Sequence, residues 1–231
     1  MNREITPLRV AILASGSGSN AQRLFDLKRA GALDIDPVLL ICNRPGARVL
    51  DRAEQAGVPS LMLDHAKEPD RERYDRSLVA ALQEAKAELV VMAGYMRLVT
   101  PFLLNSFPGR VINIHPALLP SFPGMRGAAD ALEYGVRLAG CTVHFVDEIM
   151  DHGPVIIQAA VPVNPDDDRD MLQTRIHALE HRIYPQAVQW FAEKRVQVDD
   201  RQVRILPATT SRSIVRPDGT WLAWPPLEEP F

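Results

Sequence analysis

Short apolar runs recur along the first half of the chain, each followed by a stretch long enough for one helix. This alternation narrows the available folds more than any other feature. Leu8-Arg9-Val10-Ala11-Ile12-Leu13 ends at Ser15-Gly16-Ser17-Gly18, which reads as a buried strand entering a tight loop. Similar runs at residues 38–42, 60–63, 89–92 and 110–115 alternate with helical spacing at 21–29, 47–55 and 70–86. Strands and helices in that order predict a doubly wound, mostly parallel twisted α/β sheet. Ser19-Asn20 is expected to cap the first helix.

After Pro116 the pattern changes. Pro116, Pro120 and Pro123-Gly124 break the chain into a long loop. Runs at 141–146 and 155–161 lie close enough in sequence to pair antiparallel, so antiparallel strands are expected near the C-terminal half. Residues 171–191 predict a long amphipathic helix. Further on, Pro217-Asp218-Gly219 separates two short β-prone runs, 214–216 and 220–222, and predicts a turn. One domain follows: residues 1–200 as its main body and 201–231 as a β-hairpin-like tail of the same domain.

Composition bounds the function. Of 231 residues, 46% are hydrophobic and 24% charged, which excludes a disordered or fibrous chain. The longest apolar runs, such as Leu89-Val90-Val91-Met92-Ala93, are too short to span a bilayer, and Met1-Asn2-Arg3-Glu4 lacks the basic start of a signal peptide. A net charge of −3 argues against nucleic acid held by the bulk field. Cys42 and Cys141 lie in apolar segments without CxxC spacing, as buried free thiols in a reducing compartment do. A cytoplasmic protein without membrane or nucleic-acid partners is the expectation.

Three segments have the makings of chemistry. Gly16-Ser17-Gly18-Ser19-Asn20 follows the first strand, and free amides at the next helix start favour an anion, most often a phosphate. The second strand ends in Cys42-Asn43-Arg44, without the acid that a nicotinamide site needs to hold a ribose. In Val111-Ile112-Asn113-Ile114-His115-Pro116, strand alternation puts Asn113 and His115 on one face, with His115 at the carboxyl tip where α/β ligand sites form. A core histidine beside a satisfied amide is the plain alternative. Asp147-Glu148-Ile149-Met150-Asp151-His152-Gly153-Pro154 is a loop from which one carboxylate, held in place by the Gly-Pro turn, would orient that imidazole. A polarising amide, an imidazole and a carboxylate make a kit for acyl transfer to an amine. His177 and His181 share a helix face, but the H-E-x-x-H pattern is absent and no metal site is expected.

These pieces resemble the glycinamide ribonucleotide formyltransferase family, the folate-dependent enzymes of purine synthesis. The resemblance covers about residues 8–195 and rests on five stretches: Asn113-Ile114-His115-Pro116-Ala117-Leu118-Leu119-Pro120; Val143-His144-Phe145-Val146 with Met150-Asp151-His152-Gly153-Pro154; and, for the substrate, Ser15-Gly16-Ser17-Gly18-Ser19-Asn20, Ala93-Gly94-Tyr95-Met96-Arg97 and Glu180-His181-Arg182-Ile183-Tyr184-Pro185. It implies a Rossmann-like formyltransferase fold and transfer of the formyl group of 10-formyltetrahydrofolate to the amine of 5-phosphoribosylglycinamide. It implies no tightly bound cofactor, and a monomer or homodimer. By the same resemblance Asn113, His115 and Asp151 are catalytic. Gly18, Ser19, Asn20 and Glu180 bind the ribosyl phosphate. Arg71, Met96, Arg97, Leu98, Val99 and Asn113 bind folate.

The chain departs from the family in two places. Ala117 stands where Ser is usual, and Arg126 where a histidine is usual, which puts a permanent cation in the loop after His115. That cation would serve the substrate phosphate or pair with Asp130. Another formyltransferase acting on a nucleotide-linked amine, or a folate- or phosphate-binding protein without catalysis, remain the alternatives.

Overall fold

The computed structural model describes residues 6–68, 70–209 and 212–231. The chain divides into two compact units, Met1–Val111 and Ile112–Phe231. The division falls inside the stretch expected as one main body, where parallel strand pairing gives way to antiparallel.

The first unit is the parallel half. Its strands are β1 (Leu8–Ala14), β2 (Ile35–Cys42), β3 (Ser60–Met62) and β4 (Leu89–Met92). β1 pairs in parallel with β2 and β4, and β2 with β3. Helices α1 (Ser19–Arg29), α2 (Val49–Gln55) and α3 (Arg71–Glu84) supply the crossovers. Val10 to Ala14 are wholly buried, as both faces of a covered parallel strand must be. The β1–β2 register slips between Val10 and Ala11, opposite Pro37, whose missing N–H cannot join the ladder. Asp70 caps α3 by accepting from the Arg73 amide at 3.0 Å. α1 is capped differently from the expectation. Gly18, at φ 73°, takes the N-cap position without a side-chain cap, and Ser19 and Asn20 are the first helical residues. A short helix, α4 (Pro101–Ser106), was not legible from periodicity, having fewer than two turns.

The second unit is antiparallel. β5 (Val111–His115) leads into it, and α5 (Gly127–Tyr134) interrupts the loop expected after Pro116. β6 (Leu138–Phe145) pairs antiparallel with β5 and with β7 (Val155–Pro162). α6 (Arg169–Ala192) packs on β6 and β7, capped by Asp168, which accepts from the Met171 amide at 2.8 Å. The tail corrects the hairpin expectation. The hairpin is β8 (Val196–Asp199) with β9 (Gln202–Ile205), turned by Asp200 and Arg201. Around Pro217-Asp218-Gly219 the chain forms a bend, with Asp218 Oδ1 accepting from the Thr220 amide at 2.9 Å. Its flanking runs pair elsewhere: Ile214 bridges Glu228, and β10 (Leu222–Trp224) joins the edge of β7. An open ladder on β7 offers more pairing than two three-residue runs offer each other. Both cysteines are free and buried. Among the described residues no helix is long and apolar enough to cross a membrane.

Candidate active site

Strand alternation sets Asn113 and His115 on one face of β5, and β6 lays His144 directly across from Asn113 and Thr142 across from His115. On the far side of β6, the register with β7 slips between Val143 and His144, leaving Ile156 as the extra residue. Such a bulge re-aims the side chains beside it.

Hydrogen bonds settle the tautomers. His144 Nδ1 lies 2.8 Å from the carbonyl of Phe145, which can only accept, so Nδ1 carries the hydrogen. Burial lowers the pKa of His144 and keeps it neutral, which leaves Nε2 as an acceptor. Asn113 Nδ2, 3.3 Å away, donates to it, and the orientation of the Asn113 amide is thereby fixed. His115 is buried and its Nε2 donates to the Phe122 carbonyl at 2.9 Å. Its Nδ1 faces Asp151 Oδ2 at 3.4 Å. That oxygen also accepts from the Gly124 amide at 2.7 Å, while Asp151 Oδ1 lies 3.8 Å from His144 Nε2.

The loops carrying these groups are held tightly. Thr142 Oγ1 donates to the Ala117 carbonyl at 2.7 Å and accepts from the Leu119 amide at 3.1 Å. Gln158 reaches both the Leu119 carbonyl and Thr142 Oγ1. Ala117 is buried, where a serine hydroxyl would need a further partner. Asp151 has φ 54°, a left-handed conformation that costs of order 1–3 kcal/mol outside glycine and persists only where neighbours over-determine it. Gly153 is one such neighbour: a Cβ there would stand 1.9 Å from the Phe145 carbonyl oxygen.

His144 is the residue that sequence reasoning missed in this cluster. Its signal was present in Thr142 and His144, two polar residues sharing one face of an apolar run. Glu180 lies buried on α6, near the Cys141 thiol and Tyr184, and its charge helps to push both groups' pKa values up after burial itself. Arg126 is paired with Asp130 at 3.4 Å and with Glu133, so its charge is met by its own helix. His177 and His181 stack along α6 with ring centroids 6.4 Å apart. Among the described residues no group of three metal-ligating side chains occurs.

The other expected site residues lie in the first unit. Gly18 sits where a Cβ would meet Val49 Cγ2 at 2.3 Å, so α1 and the start of α2 approach closely only because it is glycine. Arg52 braces this loop, donating to the Ser17 carbonyl at 2.8 Å and to Gln22 at 3.0 Å. In the segment 96–99, Met96 and Leu98 are exposed. Arg97 turns inward over the Tyr74 ring, 4.3 Å from its centroid. The segment is anchored by its backbone. Ser15 Oγ accepts from the Met96 amide, Arg71 donates to the Leu98 and Val99 carbonyls, and Asp75 accepts from the Thr100 amide. Burial raises the pKa of Asp75, and the Thr100 hydrogen bond and Arg97 oppose that rise.

An amide, an imidazole and a carboxylate converging beside an α/β strand tip define a site for acid–base group transfer. The chain belongs to the formyl transferase family, whose pattern it matches over residues 8–188. It is 49% identical over 182 residues to the trifunctional purine biosynthetic protein adenosine-3 of Drosophila melanogaster, covering 78% of this chain and 14% of that protein. It is 38% identical over 180 residues to the phosphoribosylglycinamide formyltransferase of Bacillus subtilis, covering 78% of this chain and 92% of that enzyme. The crystal structure of glycinamide ribonucleotide transformylase 1 from Symbiobacterium toebii superposes with a TM-score of 0.86 at 47% identity, covering 89% of this chain and 96% of that one.

Proposed function

We propose that the protein transfers the formyl group of 10-formyltetrahydrofolate to the amine of 5-phosphoribosylglycinamide, a step of purine biosynthesis. The observation that carries the proposal is the convergence of Asn113, His115 and Asp151: Asn113 bonds to His144, and Asp151, held by the Gly124 amide, faces the His115 ring at 3.4 Å. The similarity to the Bacillus subtilis enzyme over nearly its whole length supports the choice of substrates.

In this reading the substrate amine attacks the formyl carbon and the carbonyl oxygen becomes an oxyanion. Asn113 Nδ2 has a second hydrogen beyond the one given to His144, and this hydrogen donates to the oxyanion. As an imidazolium, with Nε2 held by the Phe122 carbonyl, His115 is the second donor through Nδ1, and the Asp151 carboxylate 3.4 Å away balances its charge. Asp151 receives the proton that the attacking amine sheds. Collapse of the tetrahedral intermediate breaks the bond to the folate nitrogen N10, which takes up the proton that Asp151 received, so charge and atoms balance and the carboxylate is restored. Gly18, Ser19 and Asn20 hold the ribosyl phosphate through amides at the start of α1, and Glu180 the ribose hydroxyls. Met96, Leu98 and the backbone of 96–99 hold the pterin. Arg71 and Arg97 act on that segment rather than on the folate itself, as their contacts suggest.

Purified protein given both substrates should release tetrahydrofolate at a rate set by both. His115→Ala and Asp151→Asn should each lower turnover by about 10²-fold, since each removes a positioned acid–base group. Folate binding by the two variants should stay near that of the parent. Binding of both ligands without turnover would instead favour a non-catalytic protein, and turnover with a different amine another acceptor.

A further inference from the structure

We infer that Arg201, in the turn between β8 and β9, is a positioning residue for Asp151, an inference that rests on the acid–base role proposed for that carboxylate. Arg201 lies beyond residue 188, where the family match ends.

The argument begins with the backbone of Asp151. Its left-handed conformation does not maintain itself, so the residues on either side must hold it. On the downstream side Gly153 is pressed against the Phe145 carbonyl, and Pro154 O accepts from the Phe145 amide at 2.9 Å. On the upstream side Asp147 accepts from the Ile149 amide at 3.0 Å. The residue immediately after Asp151 is exposed, and neither set of contacts reaches its carbonyl. That carbonyl, of His152, is taken by Arg201 Nη2 at 2.7 Å.

The same arginine holds the His152 side chain. Its Nη1 lies 3.4 Å from both ring nitrogens, so the guanidinium lies against the ring rather than donating to a single lone pair. His152 Nδ1 in turn donates to Asp147 Oδ2 at 2.8 Å. Arg201, His152 and Asp147 thus close a brace across the loop, from one end to the residue next to Asp151. The brace is solvent-facing and apolar contact contributes little to it. Its effect is therefore on geometry more than on stability: with the His152 carbonyl and ring both held, the segment that follows Asp151 is anchored, and with it the backbone that sets the Asp151 side chain. A catalytic group displaced by a fraction of an ångström loses rate steeply, while binding of substrates by other residues is unaffected.

Arg201→Ala should lower kcat by about tenfold with both KM values held within about twofold, the split expected of misplacement rather than lost binding. Its thermal midpoint should stay close to the parent's. Arg201→Lys, which can still donate to a carbonyl but cannot lie flat on the imidazole, should recover part of the loss. Asp151→Asn is measured beside them. If Asp151→Asn is inactive and Arg201→Ala turns over like the parent, the inference is overturned and the catalytic reading stands. If Asp151→Asn itself remains active, both fail. Should Arg201→Ala melt early, kcat is compared well below its midpoint, and a KM rise without a kcat loss there would also overturn the inference.

Discussion

His144 shows how one buried side chain links the fold to the site. Its ring touches no reacting atom in the proposed chemistry, yet it sets which way the Asn113 amide faces. Burial lowers its pKa below the ordinary 6.5, opposed by the Phe145 carbonyl and by Asp151. The unfolded chain therefore binds a proton there more readily than the folded one. Stability must fall as pH drops below about 6.5, because unfolding then takes up a proton. His144→Gln, which keeps an amide partner for Asn113 but cannot titrate, should flatten that slope in denaturation measured across mildly acidic pH. The same slope in parent and variant would show that His144 is not the group responsible. Asn113 and His115 were legible in the sequence because strand alternation is a local rule. His144 was not placed beside them because antiparallel register depends on a loop of more than twenty residues, whose length reveals nothing of the pairing.

At the scale of elements, long apolar strands and capped helices were readable, and short or small-residue elements were not. α5 reads Gly127-Ala128-Ala129-Asp130-Ala131-Leu132-Glu133-Tyr134, too poor in large apolar residues to show a helical stripe. The β8–β9 hairpin turns on Asp200-Arg201; Asp200 takes φ 52°, which Asp tolerates, but Arg201 stands where glycine would complete the usual signal. The turn at Gly16-Ser17-Gly18 was read correctly as the first βα connection, but its cap was assigned to side chains when backbone geometry decides it. Gly18 carries two constraints at once, a positive φ and a 2.3 Å approach to Val49. Gly18→Val should therefore pry α1 from α2 and lower stability by about 2 kcal/mol or more. In protein that remains folded it should raise the KM for the ribosyl phosphate while leaving that for folate nearly unchanged. A rise confined to folate would mean that the two substrates have been assigned to the wrong loops.

Taken whole, the second unit is closed by its own tail. Arg195, just after α6, donates to both oxygens of Glu228 at 2.8 and 2.6 Å, and Arg212 and Glu193 complete a largely buried network. The Glu228 amide donates to Gln186 on α6 at 2.7 Å, and Leu227 and Phe231 are buried. Burial works against the Glu228 carboxylate, but Arg195, with help from Arg212, holds its pKa below the ordinary value. A carboxyl depressed in this way stabilises the fold at neutral pH and ceases to do so as pH falls through its folded pKa. Glu228→Gln should lower stability by about 2 kcal/mol at neutral pH, less than for an isolated buried pair because Glu193 stays with Arg195. The gap between parent and variant should close below about pH 4, as chemical denaturation at a series of pH values would show. A gap independent of pH would point to lost packing instead.

The cluster of Asn113, His115, Phe122, Gly124, His144 and Asp151 is drawn from one uninterrupted stretch of fewer than forty residues, all within the second unit. The anion loop and the 96–99 segment are drawn entirely from the first. In the proposed reading, substitutions upstream of that stretch would change part of what the protein grips without touching the groups assigned to formyl transfer.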